Sequence, residues 1–127
     1  MATDPENTLV LDTTRGQVTI ELRPDVAPNH VARIKELVRE GFYDGIVFHR
    51  VIEGFMAQTG CPKGNGTSGS GKKLNQEFND APHERGTVSM ARTSDPNSGD
   101  SQFFICFDRH PSLDKQHPVW GPPSRHL

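Results

Sequence analysis

The sequence predicts a mainly β protein, a small barrel or sandwich of short strands capped by one helix. Three observations point to this class. Short runs rich in β-branched and aromatic residues recur along the chain, the 12 glycines and 10 prolines separate them, and one early stretch has helical spacing. With 127 residues, we expect a single domain over residues 1–127 built around one hydrophobic core.

The amino-terminal part predicts a hairpin followed by the helix. Thr8–Thr13 and residues 17–22 are rich in β-branched residues, and a short glycine-containing connection joins them. Apolar residues then recur at helical spacing over residues 28–40, with a proline in the first turn and a glycine after the last. The apolar stripe should face the core, and we expect four charged residues to face water: Arg33, Lys35, Glu36 and Arg39.

The rest of the chain predicts short strands between long loops. Residues 59–73 contain mostly Gly, Ser, Asn and Lys and therefore form a loop. Residues 74–85 are polar and irregular. Strands are expected over residues 46–52, 55–58, 87–91 and 102–107, with a last extended piece beginning at 119.

Charge and composition argue against two classes of partner. The 14 Lys+Arg and 16 Asp+Glu give a net charge of −2 without a basic block, so we expect neither nucleic acid nor a membrane as a partner. No apolar run approaches the roughly 20 residues of a membrane span, and the first residues do not resemble a signal peptide. We therefore expect a cytoplasmic location, where Cys61 and Cys106 remain free thiols.

A charged residue in the middle of an apolar stretch marks a candidate site. Arg50 lies among apolar and aromatic residues at 48–58, where burying an unpaired guanidinium would be costly. In a strand, alternate side chains share a face, so Phe48, Arg50 and Ile52 would lie together. A second extended segment follows, and a shallow pocket could then be lined by Arg50, Phe55, Met56 and Gln58.

The sequence predicts no cofactor and no metal site. Its six histidines and two cysteines include no Cys-x-x-Cys or His-x₃-His pair. The glycine-rich residues 64–72 resemble the start of a phosphate-binding loop, but Lys73 stands where such a loop needs Ser or Thr, and no amphipathic helix follows.

Five motifs occur in a characteristic order: Phe-His-Arg-Val-Ile at 48–52, Gly-Phe-Met at 54–56, Gln58, Ser-Met-Ala at 89–91 and Gly-Asp-Ser-Gln-Phe-Phe-Ile at 99–105. Together they resemble the cyclophilins, a family of peptidyl-prolyl isomerases, and the resemblance runs from about residue 8 to 121. It is greatest to single-domain bacterial cytoplasmic members. It implies an antiparallel β-barrel with a capping helix, and an enzyme that isomerises X-Pro bonds and assists protein folding without a cofactor.

The resemblance also implies roles for individual residues. Arg50 would be the catalytic arginine, with Gln58 beside it in the site. Proline-containing peptides and unfolded proteins would be the partners. The implied substrate-binding residues are Phe55, Met56, Ala91, Arg92, Gln102, Phe104, Leu113 and His117, with Ala91 and Arg92 acting through their backbone and Gly66 and Thr93 flanking the groove.

The chain departs from the family pattern in three places. Ser112 stands where the family usually has Trp or Phe, so we expect only weak binding of cyclosporin. Pro118 cannot donate a ladder hydrogen bond, so the following strand must begin after it or lie on an edge. Residues 122–127 do not resemble the family, which continues into a second helix and a strand that closes the barrel.

We expect that helix and strand to be missing here. Uncovered strand edges would permit self-association, although the family is monomeric. The alternative function is a non-catalytic module that binds proline peptides, or an inactive, shortened isomerase.

Overall fold

The structure is a computed structural model that describes residues 5–14 and 16–121. The expectations for residues 122–127 lie outside these residues. The described part contains one α-helix and seven strands, which confirms the mainly β class. These are β1 Thr8–Thr13, β2 Gly16–Glu21, α1 Pro28–Arg39, β3 Arg50–Ile52, β4 Met56–Thr59, β5 Val88–Met90, β6 Phe103–Cys106 and β7 Val119–Gly121, with short 3-10 turns at Pro5–Asn7 and Pro111–Leu113.

The first two strands form the predicted hairpin. β1 and β2 pair antiparallel from Thr8 opposite Glu21 to Thr13 opposite Gly16. The second strand begins one residue earlier than expected because Gly16 joins the ladder, with a φ of 125° that favours glycine.

The helix ends where a glycine can adopt a left-handed conformation. Gly41 has a φ of 75°, and its N–H donates to the Val38 carbonyl at 3.0 Å. The Phe42 N–H donates to the Leu37 carbonyl at 3.0 Å, which completes a Schellman motif. The motif ends α1 at Arg39, one residue earlier than the sequence predicts.

The charged residues of α1 are less exposed than expected. The side chains of Arg33 and Lys35 are only 13% and 18% exposed, whereas those of Glu36 and Arg39 are 54% and 65% exposed. Arg33 pairs with Glu36 and donates to the Ser70 hydroxyl at 3.0 Å. The expectation that all four face water is therefore wrong for Arg33 and Lys35, since long stems cover neighbouring surface while the charged ends remain paired.

The other five strands form one antiparallel sheet in the order β3-β4-β6-β5-β7. Strands β3, β5 and β6 are shorter than predicted, β4 is shifted by one residue, and residues 46–49 are irregular instead of extending β3. In this irregular segment, the Thr59 hydroxyl donates to the Val47 carbonyl at 2.9 Å. The expectation for Pro118 is confirmed, because β7 begins at the next residue and is one of the two edge strands of this sheet.

The main core lies between the helix, the hairpin and one face of this sheet. Val31 and Ile34 of α1 pack with Ile20 of β2 and Phe103 of β6. Trp120 is completely buried in the same cluster. The opposite face of the sheet carries the candidate site.

The two sheets do not close into a barrel within the described residues. The hairpin strands pair only with each other, and the five-stranded sheet is separate. The Arg23 N–H donates to the Trp120 carbonyl at 2.9 Å, but no strand ladder joins the sheets here. The expectation of a barrel is therefore wrong for this part of the chain, where side-chain packing and not strand pairing holds the layers together.

Two further expectations concern the membrane and the cysteines. In the described part of the chain, α1 and the short 3-10 turns include no segment long and apolar enough to span a membrane. Cys61 and Cys106 are buried free thiols.

Candidate active site

Three neighbouring strands bring predicted site residues into one row. Arg50 of β3 lies opposite Gln58 of β4, and Gln58 lies opposite Phe104 of β6. Directly opposed residues of an antiparallel pair project from the same face of the sheet. A guanidinium, an amide and an aromatic ring therefore stand side by side on the face away from the main core.

A small apolar cluster lies beside this row. Met56 precedes Gln58 by two residues on β4 and packs with Phe104 and Cys106. Met56 and Phe104 are each only 4% exposed, so they form a buried floor. Three partly buried residues pack against this floor and form its rim: Phe55, Ala91 and Leu113.

The Arg50 side chain reaches solvent from the outermost strand β3. Among residues 5–14 and 16–121, no hydrogen bond or ion pair holds its guanidinium. The burial cost that made Arg50 conspicuous in the sequence therefore does not arise. Its five N–H donors remain available to a ligand.

Two glutamines connect this row to the long loop after β4. The Gln58 Nε2 donates to the Gln102 Oε1 at 2.9 Å. The Gln102 Nε2 in turn donates to the backbone carbonyls of Gly66 and Ser68 at 3.0 and 2.9 Å. Gln102 thus braces both Gln58 and the loop.

The same loop is held at a second point by Cys61. The Ser68 N–H donates to the Cys61 sulfur at 3.4 Å. Burial opposes ionisation, but hydrogen bonds from Ser68 and from the Asn65 and Gly66 backbone lower the pKa of the Cys61 thiol to about 5. Gly66 has a φ of 86°, which L side chains rarely adopt, so the loop favours glycine at this position.

Ala91, Arg92 and Thr93 directly follow β5, and Ala91 belongs to the rim. The Ala91 N–H donates to the Gln102 carbonyl at 3.0 Å. The Arg92 guanidinium donates to the Gln116 carbonyl at 2.6 Å and lies 5.4 Å from the centre of the Phe78 ring. The Arg92 side chain is therefore already occupied by protein contacts.

His117 and Phe104 meet edge to face. Their ring centres are 5.3 Å apart with an interplanar angle of 89°. The His117 Nδ1 contacts the Met90 carbonyl at 3.0 Å, so this nitrogen carries the proton and donates. Burial lowers the pKa of His117, which favours the neutral ring.

Sequence comparisons identify a family for the chain. The family model described as "Cyclophilin type peptidyl-prolyl cis-trans isomerase/CLD" matches residues 8–122. The chain belongs to this family. The "Probable peptidyl-prolyl cis-trans isomerase" of Brucella suis biovar 1 (strain 1330) is 55% identical over 132 residues, covering 94% of this chain and 67% of the relative. The peptidyl-prolyl cis-trans isomerase of Synechococcus elongatus is 49% identical over 112 residues, covering 88% and 77%.

Solved cyclophilins have the same fold. A cyclophilin from Hirschia baltica superposes with a TM-score of 0.86 at 35% identity, covering 95% of this chain and 65% of that structure. A cyclophilin-type isomerase from Cryptosporidium parvum, crystallised in the presence of the dipeptide Ala-Pro, gives a TM-score of 0.86 at 30% identity, covering 91% and 77%. The chain thus spans about two thirds of the length of the Brucella relative and of the Hirschia cyclophilin.

The structure places some of the predicted residues of this cyclophilin-type site on one sheet face and the others outside the strands. Arg50, Gln58, Met56 and Phe104 share one sheet face. The remaining predicted residues lie outside the strands: Phe55 in the turn before β4, Gly66 in the loop after β4, Ala91, Arg92, Thr93 and Gln102 in the connection from β5 to β6, and Leu113 and His117 in the loop after β6.

Sequence reasoning missed three residues behind Phe104. His83 stacks on the Phe104 ring, with ring centres 6.0 Å apart and an interplanar angle of 18°. Its Nδ1 contacts Asp114 at 3.1 Å, and Arg109 pairs with the same carboxylate. His83 lies in a polar, irregular segment without periodicity, so no local signal in the sequence could have identified it.

Two observations concern sites of other kinds. Within the described residues, no group of three or more His, Cys, Asp and Glu side chains is arranged to hold a metal ion. A surface hollow lies along α1, away from every predicted site residue, and is lined by Pro24, Pro28, Val31, Ala32, Lys35, Glu36, Arg39 and Glu40.

Proposed function

We propose that this chain catalyses rotation about X-Pro peptide bonds and that Arg50 stabilises the twisted amide. The observation that carries this proposal is the row formed by Arg50, Gln58 and Phe104 across three strands. It sets an unpaired guanidinium one strand away from an amide and two strands away from a nearly buried ring. A prolyl residue bound over the ring would have its amide within reach of the cation.

The reaction explains why such a simple site suffices. Rotation about a peptide bond has a barrier of about 18–20 kcal/mol because the amide is stabilised by resonance. No bond is broken, so the enzyme needs no nucleophile, metal or general base. It needs to bind the twisted amide more tightly than either planar form.

Arg50 has the properties that this task requires. Twisting the amide returns the lone pair to the prolyl nitrogen, which then accepts a hydrogen bond more strongly. A guanidinium N–H directed at this nitrogen therefore binds the transition state better than the ground state. Since arginine stays protonated at physiological pH, Arg50 can only donate.

The apolar cluster beside the row would hold the proline ring. Met56 and Phe104 form its floor, and Phe55 and Leu113 stand at its edge. A proline ring seated there excludes water from the amide, and exclusion of water strengthens the contact with Arg50. His117, edge-on to Phe104, would close another side.

Gln58 would orient the guanidinium. Its Nε2 is already engaged by Gln102, which leaves its Oε1 free to accept a hydrogen bond from the opposing Arg50. Gln102 is itself fixed by the loop that carries Gly66.

The residues beyond the cluster would hold the peptide on either side of the proline. Because the Arg92 side chain is occupied by Gln116, we assign Ala91 and Arg92 a backbone role. Gly66 and Thr93 would flank the groove. The Cryptosporidium relative crystallised with Ala-Pro supports a prolyl peptide as the ligand class.

Replacing Arg50 tests the catalytic role. Arg50→Ala should lower kcat/KM for a chromogenic Ala-Ala-Pro-Phe peptide by about 10²–10³-fold, because one transition-state donor is lost. Since Arg50 is exposed and unpaired among described residues, the thermal unfolding midpoint should not change. Arg50→Lys should retain part of the activity, since an ammonium cannot reproduce the planar fork.

Arg85→Ala is the matched control, because Arg85 is another exposed arginine outside the proposed site. It should leave both turnover and stability unchanged. Near-normal turnover of Arg50→Ala would contradict the assignment.

A binding module without turnover is the second candidate. It is favoured by the two separate sheets, which leave the site on a sheet that is open within the described residues. Calorimetric titration with the same peptide distinguishes the two candidates. Binding by wild type and Arg50→Ala alike, with no acceleration by either, would favour the module.

We propose a folding-related role for this activity. Unfolded proteins with exposed X-Pro bonds would be the substrates, and their slow refolding phases should accelerate in the presence of the chain. The free thiols Cys61 and Cys106 suit a reducing compartment, which supports a cytoplasmic location. Refolding of a proline-limited protein with unchanged kinetics would contradict this role.

We also propose that residues 1–127 form one domain, because α1, the hairpin and the sheet share one main core. One cooperative unfolding transition is expected. Val51 and Ile52 of the outer strand β3 are 61% and 36% exposed, a surface that supports self-association. Size-exclusion chromatography that shows a monomer at every concentration would contradict self-association.

We propose that cyclosporin binds weakly. Ser112 lies exposed beside the rim residue Leu113 and offers little apolar surface to a cyclic peptide. Titration of Ser112→Trp should give tighter binding than wild type, and equal affinities would contradict the proposal.

A further inference from the structure

A buried histidine lies directly behind the apolar floor of the site. His83 has no exposed surface. Its backbone N–H and its Nδ1 both contact the Asp114 Oδ1, at 2.8 and 3.1 Å. Arg109 donates to both oxygens of the same carboxylate, at 3.0 and 2.6 Å. Asp114 thus fixes His83 from one side while Arg109 fixes Asp114.

The other ring nitrogen of His83 is also engaged. Its Nε2 lies 2.9 Å from the Ser89 hydroxyl, which also contacts the Pro118 carbonyl at 3.0 Å. Because the Asp114 carboxylate can only accept, His83 carries a proton on Nδ1. Burial lowers the pKa of His83, and Arg109 holds the pKa of Asp114 well below its usual range.

The order Asp114, His83, Ser89 is that of a hydrolase triad, but the arrangement cannot act as one. Ser89 has no exposed surface, so its hydroxyl does not reach a substrate. The network must therefore act on its neighbours and not on a bound peptide.

Those neighbours are the aromatic residues of the proposed pocket. His83 stacks on Phe104 at 6.0 Å, and His117 meets both rings edge-on, at 5.3 Å from Phe104 and 6.2 Å from His83. A fixed His83 ring therefore restricts the plane of the Phe104 ring on one side, while His117 restricts it on another.

The same network ties the rim loop to the sheet. The His110 N–H and the Arg109 guanidinium donate to the His83 carbonyl, at 2.9 and 3.2 Å. Residues 108–118 also include Leu113, Asp114 and His117. Every attachment of this loop to His83 therefore helps to set where Leu113 and His117 stand.

We infer that His83 and Asp114 are positioning residues for the proline pocket: they fix the Phe104 ring and the loop that carries Leu113 and His117. This inference rests on the proposed function. Neither residue contacts the substrate, and both act through the side chains that do.

Two substitutions test the inference. Asp114→Asn keeps the shape of the side chain but removes its charge, and His83→Phe keeps a ring against Phe104 but removes its hydrogen bonds. Each should lower kcat/KM for the Ala-Ala-Pro-Phe peptide by about 10-fold, and up to about 100-fold, because small displacements of a binding group have effects of that size. NMR of ¹³C-labelled phenylalanine should show broadened Phe104 ring signals.

Glu77→Gln provides the matched control. Glu77 holds another fully buried histidine, His30, through the same two contacts but away from the site. It should lower the unfolding midpoint while leaving kcat/KM and the Phe104 signals unchanged. All values of kcat/KM are compared at a temperature where every variant is folded. If Asp114→Asn does not fold, Arg109→Lys takes its place in the comparison.

Unchanged kcat/KM and Phe104 signals in both site variants would overturn the inference, as would an equal loss of activity in Glu77→Gln. If wild type shows no turnover, the proposed function fails separately. Peptide affinity and the Phe104 signals then decide the inference: weaker binding and broader signals in Asp114→Asn support it, and unchanged values overturn it.

Discussion

Two buried histidines are held in the same way but contribute to different parts of the molecule. His30 in α1 and His83 before β5 each direct a backbone N–H and the Nδ1 to one carboxylate oxygen, from Glu77 and Asp114 respectively. The distances are 2.7 and 2.6 Å for His30, and 2.8 and 3.1 Å for His83. The local chemistry of the two pairs is therefore almost the same.

The surroundings of the two pairs differ. Glu77 also accepts from the Asn29 N–H at 3.0 Å and so caps the first turn of α1, where Ala27 offers no side-chain cap. The His30 Nε2 has no hydrogen-bond partner among the described residues, whereas the His83 Nε2 reaches Ser89. One pair secures a helix, and the other lies against the aromatic floor of the site. A histidine–carboxylate pair thus acquires its role from what it packs against.

Removing the helix cap should have the largest effect on stability. Glu77→Ala leaves a buried histidine and two helix N–H groups without their acceptor, and leaving one buried polar group unpaired costs about 1–3 kcal/mol. Urea unfolding at neutral pH should show this loss of unfolding free energy. At a low temperature, where the variant is folded, its kcat/KM for prolyl isomerisation should equal that of wild type. Reduced turnover by the folded variant would contradict the view that the His30–Glu77 pair supports only the helix.

Acid should weaken both pairs in two steps. Burial lowers the pKa of His30, His83 and His117 below the ordinary value of 6.5, so the folded state binds fewer protons than the unfolded state. The stability that they contribute is complete above pH 6.5 and is lost as the pH falls through their folded pKa values. Hydrogen bonds also lower the pKa values of Glu77 and Asp114, although burial opposes the shift, so a second loss should follow at lower pH.

Urea unfolding at a series of pH values checks this order. His30→Gln should reduce the first loss without changing the pH dependence of turnover, whereas His83→Phe should change both. A free energy of unfolding that stays constant between pH 7 and 5 would contradict the prediction.

The smallest effect is expected from the outer end of the His83 network. The Arg109 side chain is 42% exposed, so water and salt screen its pair with Asp114. Arg109→Met should lower kcat/KM less than Asp114→Asn does, and high salt should reduce the difference between Arg109→Met and wild type. A loss of kcat/KM as large as that of Asp114→Asn would show that Arg109 does more than hold Asp114 in place.

Sequence patterns predicted the elements better than their pairing. β1 was predicted at its observed bounds because of its β-branched residues, and α1 to within one residue because a proline and a glycine mark its two ends. Strand β3 was predicted too long, since Thr59 binds Val47 from another segment. The residue pattern left a barrel or a sandwich open and the family resemblance specified a barrel, whereas the described residues form two separate sheets.

The residues of the candidate site were likewise predicted only in part. A charge within an apolar stretch indicated Arg50 and a pocket beside it from the sequence, and the family motifs added further residues. His83 was not predicted, because its meaning depends on Asp114, 31 residues further along the chain. The spacing of polar residues along the sequence does not identify Asp114 as the partner of His83.

The sequence by itself determined where the chain forms strands and its helix, and which family it belongs to, because these depend on local periodicity and on motifs in order. Only the tertiary structure decided that Glu77 meets His30, 47 residues away, and that Asp114 meets His83. Such pairs form when packing brings distant segments together, and the energy of each contact depends on burial that a linear pattern does not specify.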